Sequence, residues 1–597
     1  PKIQARRHNT TMAIVGQRPH APRLKGTAMT NWKTKLLRSL WPDRPLPSRT
    51  RIIAQNRLVL AGIVAGLCFV GISAKAVHLA TNLDNKNSVR GNYKQVQQRG
   101  PILDRRGRLM AQTVPIMVLH ADPKKVMDQH EVAEKLAPLL GKKSQQDILN
   151  ALSRKGRYIE LARKITPQRH ADILALGLPG IYISPSETRL YPQGAEAAHL
   201  LGTMDIDGKG IAGIEKQFDE RLRAGNPVAL SIDLGVQAVV RRELQPQIEQ
   251  FDALGGAGLV LDVRTGEILS LTSLPDYNAN QYSSADADAQ FNRATKGVFE
   301  MGSIFKVLNS AIALETGVAS LGSSYDVSKP LRVARFRIRD YHPYNRPLNL
   351  SEILVYSSNI GSARIAEDIG AAAQKAFMDR LGLLKRPALE LPEISKPLIP
   401  RQWERIASMT ISYGHGLSVS PVQAAGAIAA ASGHGFYIEP TLLRRAPTDT
   451  FEKSRIFSED TVRKVRSMMR LAVSHEDGTV NFANAPGYMV GGKTGTAEKV
   501  TDKGYNRKAN LVSVVASFPI HDPAYLIFIM VDEPKPQKHS YGYATAGWVA
   551  APAIARIVTQ IAPMMGIHPV DKDSPEIRQN LEPNIVIGTE GAIRASY

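Results

Sequence analysis

Apolar and polar positions divide the chain into segments of different character. From Leu58 to Ala74 the run "LVLAGIVAGLCFVGISA" carries no charged residue. That is about the ~17-residue lower limit for a helix crossing the hydrocarbon of a bilayer. Lys75 can snorkel, so "AVHLA" extends the span and predicts a transmembrane helix over 58–80. Gly62, Gly66 and Gly71 suit such a helix better than a soluble one. Next, "RGPILDRRGRLMAQ" (99–112) reads as a strand and hairpin turning at Asp104 to Gly107. From 128 to 176 the apolar residues Val132, Leu136, Leu139 and Leu140, then Ile148, Leu149 and Leu152, recur at helical spacing. With 190–222 they predict a small mixed domain over 81–228.

A different pattern begins near Ala229. "GLVLDV" (258–263) and "EILSLTSL" (267–274) flank "RTG" as one hairpin, and "NLVSVVASF" (510–518) and "AYLIFIMV" (524–531) form another. Mostly helical patterns lie between them. The economical architecture over 229–565 is a sheet faced with helices, giving an α+β fold class. Residues 566–597 carry no interpretable motif and read as a flexible extension.

The net charge of +22 changes this picture less than it first suggests. Before residue 58 stand thirteen Lys and Arg against one acid, Asp43, so more than half the excess lies in that tail. A basic flank beside an apolar span predicts a cytoplasmic N-terminus and export of the chain beyond residue 80, rather than nucleic-acid binding. The tail, 1–57, reads as disordered. A cleaved signal ending near the A-x-A triplet Ala74 to Ala76 is the alternative, although its basic region would be long. Cys68, the single cysteine, lies within the span, so an exported domain would carry neither disulfides nor a cysteine nucleophile.

Candidate chemistry begins at "FEMGSIFKVL" (299–308). The run "SIFKVLNSAIALETG" is apolar at 304, 305, 307, 308 and 311–313 and stops at Gly317, which predicts a buried helix with Ser303 at its start. Lys306 follows at i+3 on the same side. The positive end of a helix disfavours an ammonium and favours an oxyanion, which suits a serine nucleophile with a lysine base. S-x-x-K by itself recurs by chance. "VYSSNIGSARIAE" (355–367) adds Ser357 and Asn359, and "VGGKTGTAEKV" (490–500) adds Lys493, Thr494, Gly495 and Thr496 on a strand-like segment. The serial order S-x-x-K, S-x-N, K-T-G is that of β-lactamases and penicillin-binding proteins.

From about residue 95 to 560 the chain resembles the class B penicillin-binding proteins, monofunctional peptidoglycan D,D-transpeptidases. "RGPILDRRGRLMA" and "IAGIEKQFD" resemble the family's pedestal motifs, and "NRATKGVFEMGS" its approach to the nucleophile. "SYGHGLSVSPVQAAGAIAAAS" (412–432) and "AAPAIARI" (550–557) resemble further transpeptidase segments. The compact pedestal is most similar to the division-specific, septal type. One departure is that "RLRAGNPVALSIDLGVQ" crosses almost directly into the catalytic domain, where the family has a longer charged linker.

The resemblance implies that Ser303 attacks the penultimate D-alanine of a stem pentapeptide, that Lys306 takes its proton, and that Ser357 relays a proton to the departing D-alanine. Asn359 would bind the peptide and the lysine. Lys493 would supply positive charge, Thr494 and Thr496 would face the substrate carboxylate, and the N–H groups of Ser303 and Thr496 would form the oxyanion hole. Gly495 would allow strand and substrate to approach closely. No metal or organic cofactor is implied. β-Lactams would acylate the same serine, and a membrane glycosyltransferase of the shape, elongation, division and sporulation class, with other divisome proteins, would be partners at the inner membrane. Asp104, Arg105 and Glu215 would orient the domains, and His415 between its glycines would be structural. An elongation-type transpeptidase, a D,D-carboxypeptidase, a β-lactamase and a non-catalytic divisome scaffold stay open as alternatives.

Overall fold

The structure is a computed structural model that describes residues 49–86, 98–141, 143–334, 336–501 and 504–581, with Ile585, Ile587 and Gly588. Helix α1, Arg49–Lys86, contains a stretch, Asn56–His78, long and apolar enough to cross a membrane. Its side chains Leu58, Ile63, Leu67, Phe69 and Val70 are exposed, as a lipid-facing surface would be. The tail read as disordered through residue 57 is already helical from Arg49. Extending an existing helix costs far less than nucleating one, so the polar flank joins it. Residues 1–48 lie outside the described part.

The second compact unit begins near residue 96. The short strand β1 (Ile102–Leu103) turns back into β2 (Leu109–Ala121). Helices α2 (Gln129–Leu140) and α3 (Gln145–Leu152) come next, the first capped by Asp128 and the second by a Ser144–Asp147 capping box. The helical reading of 128–176 fails at β3 (Ile159–Arg163), which precedes α4 (Pro167–Ala175). Here pairing overrides local spacing: Leu119 lies opposite Ala162, with β2 held on its other side by β4 (Ile181–Leu190). The strand and helices close a separate small core of Leu119, Val132, Leu136, Ile148 and Leu161.

The base of this region is fused to the catalytic part. β5 (Val228–Ala229) pairs in parallel with β1, and the apolar residues Ile102, Met110, Leu200 and Ile214 belong to the same core as the large sheet. Glu215, 0% exposed, accepts from Arg99 Nε at 2.6 Å and Arg189 Nε at 2.7 Å. Asp104 accepts from the backbone N–H of Arg106 and Arg108, and both arginines reach Asp233 across the boundary at 2.7 and 3.0 Å. Arg105 N donates to Ile232 O at 2.8 Å.

Helix α5 (Leu234–Gln250) opens the catalytic part, followed by β6 (Gly255–Asp262) and β7 (Ile268–Leu274). Helices packed around the sheet include α6 (Phe305–Glu315), α7 (Leu350–Val355), α8 (Asn359–Ile369), α9 (Pro421–Ser432) and α10 (Glu459–Ser474). Strands β8 (Gly491–Thr501), β9 (Gly504–Phe518) and β10 (Tyr525–Asp532) then complete an antiparallel sheet of five strands among the described residues, in the order β8-β9-β10-β6-β7. β6 and β10 in the middle of the sheet, and β7 at its far end, are buried along their whole length, so both faces are covered there. β8 is an edge. α11 (Ala551–Met564) packs beside α5.

The described part of the C-terminal extension is docked rather than flexible. Helix α12 (Pro575–Asn580) buries Ile577, and Leu581, Ile585 and Ile587 enter the main core after it. Gly588 N donates to Glu352 Oε1 at 2.9 Å, on the helix that leads to Ser357. Four buried apolar side chains supply the driving force that an absent motif did not reveal.

Candidate active site

Ser303 lies in a single 3₁₀ turn, Gly302–Ile304, that runs straight into α6. Gly302 has φ +57°, and its N–H donates to Gly414 O at 3.1 Å, so the turn that carries Ser303 is pinned from the "SYGHGLS" loop. α6 is buried from Phe305 to Ala313 and joins α8 through Asn309 Nδ2, which donates to Ser362 O at 3.0 Å. That packing sets Lys306 opposite the turn between α7 and α8. Ser357 occupies this turn with φ +62°, a left-handed conformation that costs a non-glycine residue about 1 kcal/mol or more. Ser357 is therefore a turn residue, and its hydroxyl points away from the ladder of either helix.

Lys306 is 1% exposed, and its Nζ lies 2.8 Å from Ser303 Oγ, 2.6 Å from Ser357 O, 3.1 Å from Ser357 Oγ and 2.7 Å from Asn359 Oδ1. Burial, and then the charge of Lys493, push its ammonium far below the ordinary lysine range, while Asp340 acts the other way. A neutral amine has two N–H donors and one lone pair. The carbonyl of Ser357 and the amide oxygen of Asn359 can only accept, so they take the two donors. The lone pair is left for the Ser303 hydroxyl.

Lys493 is 0% exposed on β8, and burial pulls its ammonium down to about 7. Its Nζ donates to Ser357 Oγ at 3.0 Å and to Thr494 O at 3.2 Å. Along β8 the pleat turns Lys493, Gly495 and Ala497 inward, while Thr494 and Thr496 line a cleft of about 1550 Å³ together with Ser303, Ser357 and Asn359. Because β8 is the sheet edge, its outward backbone groups face this cleft and can pair with an extended peptide. All eight site residues singled out in the sequence, Ser303, Lys306, Ser357, Asn359, Lys493, Thr494, Gly495 and Thr496, thus meet at one place.

The reason for Gly495 differs from the one foreseen. A Cβ there would collide with Met301 O and come within 2.8 Å of Ser513 Oγ and 2.9 Å of Ile304 Cγ1. Gly495 lets β8 lie against the turn that carries Ser303.

Several contributors went unnoticed in the sequence. Thr494 Oγ1 donates to Thr479 Oγ1 at 3.1 Å, and Asp340 accepts from Ser358 and from the first N–H groups of α8. Phe482, Tyr543 and Trp548 wall one side of the cleft, and Tyr344 stacks on Tyr356 at 5.4 Å between ring centres on another. "HEDGT" (475–479) holds Thr479, the aromatic-rich "RDYHPYN" (339–345) holds Asp340 and Tyr344, and "SYGYATAGW" (540–548) holds Tyr543 and Trp548. His415 also lines the cleft. Burial holds its imidazole at about 4, hence neutral, and its glycine neighbours have φ +87° and +86°.

Comparison with known proteins gives two family matches, the penicillin binding protein transpeptidase domain over residues 256–558 and the penicillin-binding protein dimerisation domain over 94–230. A probable peptidoglycan D,D-transpeptidase FtsI of Caulobacter vibrioides is 39% identical over 517 residues, covering 84% of this chain and 87% of the relative. The peptidoglycan D,D-transpeptidase FtsI of Escherichia coli K12 is 33% identical over 506 residues, covering 79% and 84%. Among solved structures, penicillin binding protein 3 of Mycobacterium tuberculosis, in complex with aztreonam, has a TM-score of 0.63 at 22% identity, covering 79% of this chain and 97% of that one. A peptidoglycan synthetase of Bifidobacterium adolescentis has the same score at 23% identity, covering 80% and 97%. These two share the fold.

Proposed function

The chain belongs to the class B penicillin-binding proteins, and from that premise we propose that it is a septal-type peptidoglycan D,D-transpeptidase working through a Ser303 acyl-enzyme. One observation carries the reading: buried Lys306 Nζ lies 2.8 Å from Ser303 Oγ and within hydrogen-bond distance of Ser357 O and Asn359 Oδ1, an arrangement in which a neutral amine has its lone pair left for the serine hydroxyl.

As Oγ of Ser303 attacks the carbonyl carbon of the penultimate D-alanine, Lys306 accepts its proton. The N–H groups of Ser303 and Thr496 take the developing oxyanion. Ser357, between Lys306 and Lys493, passes a proton to the nitrogen of the terminal D-alanine, which leaves as the C–N bond breaks. Lys493, Thr494 and Thr496 hold the carboxylate of that residue, and Asn359 holds the peptide. An amine from a neighbouring stem then attacks the ester, forms the crosslink and returns Ser303 its proton. β-Lactams acylate the same hydroxyl. The catalytic domain works on the periplasmic side, with the tail in the cytoplasm, α1 in the inner membrane, and a membrane glycosyltransferase and other divisome proteins as partners at the septum.

The test is intact-mass analysis of the protein after exposure to a fluorescent penicillin, beside Ser303→Ala. A persistent adduct that the variant lacks supports the assignment; an adduct of equal yield on the variant refutes it. Crosslinking of lipid-linked substrate then separates transpeptidation from release of D-alanine to water. Co-purification with the glycosyltransferase, lost when 58–80 is replaced, tests the partner.

A further inference from the structure

Asp340 stands outside all three catalytic motifs yet touches one of them at three points. Its Oδ1 accepts from Asn359 N at 2.5 Å and Ile360 N at 2.9 Å, and its Oδ2 accepts from Ser358 Oγ at 2.7 Å. The adjoining Arg339 O accepts from Asn359 Nδ2 at 3.0 Å, which leaves the Asn359 amide oxygen turned towards Lys306. The carboxylate thus closes the start of α8 and braces the turn that keeps Ser357 at positive φ.

We propose that Asp340 is a positioning residue for the serine-lysine chemistry, bracing the Ser357–Asn359 turn through its oxygens and countering, with its charge, the positive field that Lys493 imposes on Lys306. The proposal rests on the Ser303 and Lys306 assignment above. The charged and titratable groups bearing on Lys306 are Lys493 from β8, Asp340 from the segment before α7, and His415 from the glycine-flanked loop. Of these, Asp340 alone is anionic, so it favours the ammonium form of Lys306.

Two substitutions separate geometry from charge. In Asp340→Asn, Oδ1 still accepts from Asn359 and Ile360, and the new amide N–H donates to Ser358 Oγ, so only the charge goes. Asp340→Ala removes both. The readout is the rate of acylation by a chromogenic penicillin as a function of pH, with full-length protein in detergent and Ser303→Ala as the blank. If the wild type shows no Ser303-dependent acylation, the underlying function fails and the proposal with it. Otherwise the Asn variant moves the acid limb to lower pH by roughly one unit, because losing the anion frees the neutral lysine earlier. The Ala variant slows acylation on the order of 10²-fold through misplacement of Ser357 and Asn359. An Asn profile superimposed on wild type overturns the charge role, and it does so even if the Ala variant does not fold. A folded Ala variant acylating at the wild-type rate overturns the brace.

Discussion

Lys493 Nζ and Ser357 Oγ lie 3.0 Å apart, and the same hydroxyl stands 3.1 Å from Lys306 Nζ on its other side. Two buried amines therefore share one oxygen and cannot both stay charged without repulsion. The working pair is a neutral Lys306 and a cationic Lys493. Acylation rises with pH as Lys306 loses its proton and falls again as Lys493 does so, near 7. A bell-shaped profile by penicillin acylation checks this. Removing the cation with Lys493→Met raises the pKa of Lys306, so the acid limb moves to higher pH and the alkaline limb disappears.

The same substitution stabilises the fold. The Lys493 ammonium is depressed to about 7 from an ordinary 10.5, so the native state binds fewer protons than the unfolded chain between those values. Wild-type stability is therefore greatest above the unfolded value and is lost as pH falls towards about 7. Lys493→Met escapes that penalty. Its Tm exceeds that of wild type at pH 7, and the gap narrows towards pH 10; a constant gap across the range would contradict a desolvated lysine.

Gly495 tests how β8 is set against the turn that carries Ser303. In Gly495→Ala the added methyl meets Met301 O, a backbone atom that cannot swing aside. The turn carrying Ser303 must shift instead. Acylation falls on the order of 10²-fold, with a loss of about 1–3 kcal/mol in stability, measured by penicillin kinetics and denaturant unfolding.

Glu215 is held by two arginines, Arg99 and Arg189, which are themselves buried. Glu215→Ala leaves the buried Arg189 without a carboxylate and Arg99 with Asp219 alone, which costs about 3–5 kcal/mol. The loss appears in the unfolding midpoint. Protein that remains folded still acylates, because the network lies at the base of the pedestal and includes none of the residues that line the cleft.

Ser303, Lys306 and Lys493 were legible because their roles depend on local spacing: a helix turn places Ser303 beside Lys306, and strand alternation separates Lys493 from Thr494. The two hairpins were legible for the same reason, since their partners are sequence neighbours. Asp340 was not, because its importance comes from meeting the start of α8, and no periodicity marks that encounter. β3 was misread because its ladder with β2 comes from a distant segment, while "RYIELARK" on its own suits a charged helix face equally well. Gly495 shows a further limit: a glycine signals a close approach without saying to what.

The C-terminal segment provides the last prediction. Ile577, Leu581, Ile585 and Ile587 are all buried in the main core, and Gly588 N caps Glu352, which also accepts from Asn349 N at 2.8 Å and pairs with Arg346 at 2.7 Å. Glu352 and Asn349 form the capping box of α7, and α7 ends next to Ser357. The extension is thus tied to the helix that leads to Ser357. Leu581→Ala, a buried large-to-small change, costs about 2–5 kcal/mol. Ending the chain at residue 568 removes all four apolar side chains as well as the Glu352 contact, so it lowers both the unfolding midpoint and the rate of penicillin acylation. If the chain ended at 568 melts and acylates like the full-length protein, the extension has no part in holding α7.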